Sequence, residues 1–303
     1  EKVAVRKLEY VVSAQDDGKT VKEILKQKLF LSRREISHAK HFDDGILLDG
    51  NHATVAEVVN SGQLIVFNVY ENIDDAEEIV PVEGSLDIIY EDKDIIVVNK
   101  PANMVVHPVH GHYLDSLCNR IAFHFRENDE QHVMRAVGRL DRETSGVILF
   151  CKNRYAASIL SGGDEENLSR KKEYLAIVHG KFNELSGTVN KPIGDVPDKP
   201  LIRQISEDGK EAVTHYYVEK EYEDYSLVRL KLDTGRTHQI RVHMSSIGHP
   251  LVGDSLYLGH DDDIMNRCAL HASSLEIIHP VLRKKMFFKA ELPDDMIKLI
   301  NEK

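Results

Sequence analysis

The chain has 303 residues and a formal net charge of −11, with 42% hydrophobic and 29% charged residues. This composition is ordinary for a globular protein, and no apolar run approaches the roughly 20 residues that a membrane-spanning helix needs. The length suffices for one large domain, or for one large and one small domain.

The cysteines and the first residues indicate where the protein works. Cys118, Cys151 and Cys268 lie far apart and form no C-x-x-C pair, so we expect reduced, buried thiols. The segment 1–6 contains no apolar core of a signal peptide. The sequence therefore predicts a cytoplasmic protein without membrane association.

The net negative charge at first argues against a nucleic-acid partner. However, residues 71–94 contain ten Asp or Glu and one Lys, so this segment alone carries −9 and the remaining 279 residues carry only −2. Residues 22–40 reverse the balance, with six Lys or Arg against two Glu. A local basic surface is therefore compatible with the acidic chain.

A small N-terminal domain is predicted over residues 1–70, with its core at 13–70. Leu25, Leu29 and Ile36 recur among basic residues, which predicts two short amphipathic helices. A strand with a tight turn is predicted at residues 46–51, and a closing strand at 63–69.

The basic residues of this domain have two interpretations. Arg33, Arg34 and Lys40 are candidate contacts to phosphate groups, which position a protein on a nucleic acid. The alternative is a solvated helical face without a binding role, because most charge clusters on helices are simply exposed to solvent.

An acidic linker is predicted at residues 71–85, since this stretch contains Pro81 and Gly84. A larger domain is predicted over residues 86–303. Its predicted helices lie at 117–125 and 236–246, and its predicted strands lie at 86–90, 95–99, 147–151, 174–178, 212–221 and 225–232. Strands joined by short turns, with few helices, predict an α+β fold with a mixed, largely antiparallel sheet.

The most informative segment is 138–146, Gly-Arg-Leu-Asp-Arg-Glu-Thr-Ser-Gly. Asp141 lies between two arginines and is followed by an apolar run, which predicts a loop that presents a carboxylate at a strand end. A nucleophilic carboxylate must stay ionised, and Arg241 is a candidate to fork onto it. A purely structural ion pair is the alternative.

Several other chemistries lack the residues they need. Glycoside hydrolysis requires two separated carboxylates, and no residue stands out as a partner of Asp141. His107, His110 and His112 superficially resemble a metal-binding set, but the Pro and Gly among them indicate a loop rather than a zinc site. Phosphate-binding glycine motifs are also missing. We expect neither a metal nor a cofactor.

Two further residues are candidates for contact with a nucleic acid. Tyr174 follows a basic triplet and opens an apolar strand, where it is either an edge aromatic or a platform that stacks on an unstacked base. Lys100 precedes Pro101 at the end of a strand, where its ammonium can face a phosphate.

These segments together resemble the RluA-type family of pseudouridine synthases over residues 86–293, in the family's order. The matching segments are Val97-Val98-Asn99-Lys100-Pro101, Val105-Val106-His107-Pro108, Gly111-His112, Arg139-Leu140-Asp141 with Thr144-Ser145-Gly146, Lys172-Glu173-Tyr174, Arg236-Thr237-His238-Gln239-Ile240-Arg241-Val242-His243, Gly248-His249-Pro250 with Gly253-Asp254, Leu270-His271-Ala272 and His279-Pro280. Residues 13–70 resemble the alpha-L RNA-binding domain that often precedes this catalytic domain. Gly138 departs from the family, in which many members have His.

The resemblance implies that the chain isomerises uridine in RNA without a cofactor or a metal. It implies Asp141 as the nucleophile or base, Arg241 as its ion-pair partner and Tyr174 as the residue that stacks on the target uracil. Arg139 would hold RNA from which the base has been extruded. Further RNA contacts are predicted at Arg142, Lys100, Arg236, His238, Arg33, Arg34 and Lys40.

The RNA-binding domain favours large-subunit ribosomal RNA as the substrate, and tRNA is the second possibility. We expect a monomer. Two alternatives from other classes are a non-catalytic RNA-binding or ribosome-assembly protein and a hydrolase that releases free uracil from nucleosides. The segment around Asp141 disfavours the first alternative, and the missing second carboxylate disfavours the second.

Overall fold

A computed structural model of the chain describes residues 2–72, 79–161, 170–259 and 264–301. The helices are α1 (Val21–Gln27), α2 (Arg33–Ala39), α3 (Leu117–Glu127), α4 (Arg154–Ser161), α5 (Gln239–Ser246) and α6 (Asp294–Asn301). The strands are β1 (Lys2–Val11), β2 (Ile46–Leu48), β3 (Asn51–His52), β4 (Leu64–Asn72), β5 (Ile88–Glu91), β6 (Ile95–Lys100), β7 (Arg135–Val137), β8 (Ser145–Cys151), β9 (Lys171–His179), β10 (Ser186–Asn190), β11 (Ile193–Val196), β12 (Lys199–Ile205), β13 (Val213–Glu221), β14 (Tyr225–Leu232), β15 (Leu270–Ile278) and β16 (Lys285–Lys289).

The N-terminal domain consists of helices α1 and α2 against an antiparallel sheet in the order β1-β4-β2-β3. Each helix begins with a capping box, Thr20 with Glu23 and Ser32 with Glu35, in which the carboxylate accepts the backbone N–H of the cap residue. The two predicted helices and the strands at 46–48 and 64–69 are confirmed. Strand β1, which pairs along the whole length of β4, was not predicted.

The predicted linker begins too early in the chain. Strand β4 continues through Asn72, and Glu71 is buried within it. Its carboxylate accepts hydrogen bonds from the Arg135 guanidinium at 2.9 Å and from the Arg154 backbone N–H at 2.5 Å. A buried, paired Glu71 belongs to a packed strand rather than to a solvated linker. Residues 73–78 lie outside the described residues.

The large domain is built on a ten-stranded sheet whose main path is β10-β13-β14-β9-β15-β8-β6-β5. Strand β7 pairs with β8 and strand β16 pairs with β15. All described pairs in this sheet are antiparallel except β15 with β8, which is parallel. The predicted α+β fold with a mixed, largely antiparallel sheet is confirmed.

Both faces of the centre of this sheet are covered, which explains why β6 and β8 read as continuous apolar runs. On one face, Ile96 and Ile148 pack in a core with helices α3 and α5. On the other face, Ile95 and Leu149 pack with α4 and β16. The sheet is thus a buried platform, and the loops at the end of β7 and the start of β8 reach the surface from it.

Helix α4 connects the two domains, because its two faces enter different cores. Tyr155 and Ile159 pack in the core of the N-terminal domain, whereas Ala156 and Leu160 pack under the large sheet. The Tyr155 hydroxyl donates to the Leu29 carbonyl at 2.8 Å. The described helices include none that is long and apolar enough to cross a membrane.

Candidate active site

A cleft of about 390 Å³ lies between the loop that follows β7, the start of β9 and the segment that leads into α5. This volume is typical of a small-molecule site. Its lining includes the following polar and aromatic side chains: Arg139, Asp141, Thr144, Lys172, Tyr174, Arg236, His238 and Arg241.

The loop that presents Asp141 depends on glycine at both ends. Gly138 follows β7 with φ of 83°, in the left-handed region that a side chain disfavours. A Cβ on Gly146 would lie 2.2 Å from the Ala272 carbonyl oxygen on the neighbouring strand β15. Between them, the Thr144 N–H donates to the Asp141 carbonyl at 3.1 Å and closes the turn. The Asp141 side chain is therefore held at the cleft, where it is 25% exposed.

Lys100 fixes this loop from below, and its predicted contact with RNA phosphate is wrong. The side chain is fully buried, and its ammonium donates to the carbonyl oxygens of Pro101, Met104 and Arg142 at 2.8–3.0 Å. Burial, together with the charge of Arg267, lowers the pKa of Lys100 to about 7. A lysine inside the core cannot reach a phosphate, and here it joins the end of β6 to the Asp141 loop.

The predicted ion pair between Arg241 and Asp141 is also wrong. Arg241 lines the cleft, but its guanidinium forks onto Asp254, with Nε at 2.8 Å from Oδ2 and Nη2 at 2.6 Å from Oδ1. Burial alone would lower the pKa of Arg241, but the hydrogen bonds to Asp254, together with the negative charges of Asp254 and Glu143 nearby, raise the pKa. Two charges buried this deeply must satisfy each other, so the fully buried Asp254 takes the fork and the half-buried Asp141 does not.

Asp254 is the site residue that the sequence did not identify as a partner. The only signal available was its place in the Gly253-Asp254 segment of the family resemblance. In contrast, the Asp141 carboxylate accepts no hydrogen bond from any residue in the described part of the chain. The basic group that comes close to it there is His238, whose Nε2 lies 3.9 Å from Oδ2.

Helix α5 begins at Gln239, three residues later than predicted. The Gln239 side-chain oxygen accepts from the Thr234 hydroxyl at 2.9 Å and from the Arg236 N–H at 3.0 Å. These bonds hold the preceding residues in a turn, so they cannot form the first turn of the helix. His238, directly before the helix, has φ of 56°.

Tyr174 lies in β9, which is paired on both sides by β14 and β15, so it is not an edge aromatic. Its ring is buried at the wall of the cleft, and burial together with the charge of Asp141 raises the pKa of its hydroxyl. The Lys172 ammonium lies 5.6 Å from the ring centroid. Burial and the charge of Arg170 lower the pKa of Lys172 to about 8.

The remaining predicted contacts lie at different distances from the cleft. Arg139 and Arg236 are exposed and line it, whereas Arg142 is exposed but outside its lining. Arg33, Arg34 and Lys40 are exposed on or directly after α2, outside the lining. Within the described ranges, none of these six cations forms a salt bridge.

Asp92, Asp94 and His279 place potential metal ligands within 4.8 Å of one another. These groups already have partners. Asp94 receives the fork of Arg6 at 2.7 and 2.9 Å, and His279 Nε2 lies 2.8 Å from Asp92. The cluster therefore reads as an ion-pair network at the junction of the two domains. Of the predicted histidine loop, His112 contacts the Asp115 carboxylate at 2.7 Å.

Comparison with known proteins gives this cleft a chemical context. The model of the RNA pseudouridylate synthase family matches residues 94–246, which include the Asp141 loop, Tyr174 and Arg241. The chain is 41% identical to "Uncharacterized RNA pseudouridine synthase YjbO" of Bacillus subtilis, over 93% of this chain and 98% of that protein. It is 40% identical to "Ribosomal large subunit pseudouridine synthase D" of Blochmanniella floridana, over 79% and 80%.

A solved structure supports the same assignment. The human protein "RNA Pseudouridylate Synthase Domain Containing 1" superposes with a TM-score of 0.59 at 28% identity, covering 73% of this chain and 89% of that one. The matched family model spans half of the chain, and the relatives align over most of it. The chain therefore belongs to the RluA-type family of RNA pseudouridine synthases and is an enzyme of that class.

Proposed function

We propose that this enzyme isomerises specific uridines of large-subunit ribosomal RNA, with Asp141 as the nucleophile or base. The observation that carries the proposal is a carboxylate without a hydrogen-bond partner in the described chain, presented at a cleft whose wall contains Tyr174. The preference for ribosomal RNA rests on relatives that are named large-subunit enzymes.

The reaction needs no net change in composition. The bond between uracil N1 and ribose C1′ breaks, a bond between C5 and C1′ forms, C5 loses a proton and N1 gains one. In this scheme Asp141 acts on the sugar or the base, and Tyr174 stacks on the extruded uracil. Stacking contributes about 1–3 kcal/mol per base, which offsets the few kcal/mol that extrusion costs.

Cations around the cleft are placed to hold the RNA backbone. Arg139 and Arg236 are exposed at its lining, where they can contact the phosphates that flank the extruded nucleotide. Arg241 has a different role in this proposal: through its fork to Asp254 it stabilises the wall of the cleft rather than the carboxylate of Asp141.

The N-terminal domain offers a second RNA contact. Residues 22–40 carry six Lys or Arg against two Glu, so the exposed side chains of Arg33, Arg34 and Lys40 lie in a region with an excess of positive charge. We propose that this surface binds phosphates of the same RNA, in the cytoplasm, with the protein acting as a monomer. Binding should weaken as salt is raised, because phosphate contacts release counterions.

Tritium release from RNA labelled at C5 of uridine tests the reaction. The wild type should release tritium from ribosomal RNA, and Asp141→Asn should abolish release while RNA affinity stays unchanged. Turnover by Asp141→Asn would contradict the role of Asp141. RNA binding without tritium release by the wild type would favour the non-catalytic alternative, and release from tRNA alone would overturn the ribosomal substrate. Carbodiimide-dependent primer-extension stops in a deletion strain identify the uridines.

A further inference from the structure

His238 combines three features that a residue at the start of a helix rarely combines. It adopts the left-handed conformation, with φ of 56° and ψ of 18°, although it has a side chain. It lines the cleft. One ring nitrogen faces a tyrosine, and the other faces the carboxylate of Asp141. Strained backbone of this kind persists where the surrounding contacts hold it and is concentrated at functional sites.

The tyrosine fixes the ring. Tyr257 Oη lies 2.8 Å from His238 Nδ1 and accepts the Arg203 backbone N–H at 2.9 Å. The two rings meet edge to face, with centroids 5.7 Å apart. When the Tyr257 hydroxyl donates its proton to His238 Nδ1, the Arg203 N–H, the hydroxyl and Nδ1 each have a hydrogen-bond partner. The proton of the imidazole then resides on Nε2, the nitrogen that faces Asp141.

The separation between Nε2 and Asp141 Oδ2 is 3.9 Å, longer than a hydrogen bond. Contacts that serve a reaction are often long in the free enzyme and shorten when substrate is bound. A uridine that enters the cleft displaces water from the Asp141 carboxylate, which then needs a donor from the protein. An N–H at Nε2 is placed to supply that donor.

We propose that His238, held by Tyr257, is a positioning residue that orients the Asp141 carboxylate through Nε2–H when RNA is bound. This rests on the proposed role of Asp141. Burial and the charge of Arg241 lower the pKa of His238, which favours the neutral imidazole that the tautomer requires. The titratable or charged groups that face it are Asp141, Arg203, Arg241, Asp254 and Tyr257.

Two substitutions separate positioning from a structural role. In His238→Gln the side-chain amide can place an N–H where Nε2 was, whereas in His238→Asn the amide replaces Nδ1 and leaves Asp141 without a donor. Asn tolerates the left-handed backbone better than Gln. A structural role therefore predicts that Asn is the milder change, and positioning predicts that Gln is.

We expect His238→Asn to lower the rate at saturating RNA about a hundredfold, since misplacement by about 1 Å costs this much, and His238→Gln to retain clearly more activity. RNA affinity should change less than about threefold in both, because an interaction used in the reaction alters the rate and not binding. The matched control is His215, a half-buried histidine outside the cleft lining that is paired with Asp233 at 2.8 Å, and its Asn and Gln variants should leave the rate unchanged. Equal rates for the two His238 variants, or a faster Asn variant, would overturn the proposal.

Nitrogen-15 NMR of the imidazole provides a readout without RNA. In the wild type, the spectrum should show the proton on Nε2 of His238 and none on Nδ1. The Tyr257→Phe variant should lose this preference for one tautomer. A proton on Nδ1 in the wild type would refute the assignment. If the wild type fails to convert uridine while the tautomer is as expected, the proposed function fails and the geometry of His238 stands.

Discussion

Two aspartates near the cleft have opposite surroundings: Asp141 lines the cleft, whereas Asp254 lies outside the lining and binds Arg241. Asp254 is fully buried, receives the fork of Arg241 and also accepts the Leu256 backbone N–H at 3.2 Å. Asp141 lies in a glycine-bounded loop, is partly exposed, and accepts no hydrogen bond to its carboxylate within the described residues. Asp254 thus stabilises the folded protein, whereas the carboxylate of Asp141 stays accessible from the cleft. Substitutions of these aspartates and of their neighbours test this difference.

Neutralising the buried carboxylate of Asp254 should destabilise the folded protein strongly. Asp254→Asn should lower the free energy of unfolding by about 3–5 kcal/mol, since it leaves the buried Arg241 guanidinium without its counter-charge. Asp141→Asn should change it by less than about 0.5 kcal/mol, because it removes no buried contact. Urea unfolding of both variants measures the difference, and equal losses would contradict the division of roles.

A slightly smaller loss is expected beneath the Asp141 loop. Lys100→Met should cost about 3 kcal/mol, because three hydrogen bonds of about 1 kcal/mol each are lost between the buried ammonium and the carbonyl oxygens of Pro101, Met104 and Arg142. Tritium release by this variant should fall as well, since the loop loses its anchor. A variant with native stability and full activity would show that Lys100 does not hold the loop.

The pH dependence of stability provides a separate measurement on Lys100. The pKa of Lys100 is about 7 in the folded protein, against an ordinary value of 10.5. Between these values the unfolded chain binds more protons than the folded one, so this residue makes stability rise with pH from about 7 to about 10. Unfolding across that range should show a smaller rise in Lys100→Met, and identical slopes would contradict the lowered pKa.

Tyr174, at the wall of the cleft, should contribute to the reaction by stacking its ring on the target base. Tyr174→Phe is expected to retain most of the activity, while Tyr174→Leu should lose the stacking contribution of about 1–3 kcal/mol, or roughly fivefold to 160-fold in rate. Single-turnover tritium release on the same RNA compares them. Equal losses in the two variants would assign the effect to the hydroxyl instead.

The smallest effect should have the opposite sign. The buried Thr144 hydroxyl at the cleft has no hydrogen-bond partner in the described chain, so Thr144→Val should raise the free energy of unfolding by about 1 kcal/mol. Thr214 is the control, because its hydroxyl contacts His243 at 2.8 Å and Gln239 at 3.1 Å. Thr214→Val should therefore destabilise the protein. A destabilised Thr144→Val would mean that this hydroxyl has a partner.

The sequence predicted those parts of the molecule whose signals are local. The strands at β5, β6 and β8 and helix α3 follow from apolar patterns within a few residues, and the Asp141 loop follows from its glycines. The partner of Arg241 does not, because two aspartates compete for it and burial decides between them. The prediction that Lys100 contacts a phosphate failed for the same reason. The sequence indicates where the strand ends, but it does not indicate that the side chain of Lys100 is buried.

Helices and strands that depend on distant packing were also missed. Strand β1 has no strong alternation and is defined by its pairing with β4. Helix α4 is only eight residues long, too short for its helical period to stand out in the sequence, and its apolar residues divide between two cores. The late start of α5 depends on the side chain of Gln239, which folds back onto the preceding turn.

Because α4 packs in the cores of both domains, the chain cannot be divided cleanly into two fragments. A fragment that starts after residue 78 would retain Tyr155 and Ile159, yet it would lack the other apolar side chains of their core, such as Leu25 and Phe67. It would also leave Asp94 without the guanidinium of Arg6. Expressed alone, the large domain would therefore expose an aggregation-prone apolar surface and would lack the guanidinium that pairs with Asp94. The two domains are separable in sequence but are one unit for expression and purification.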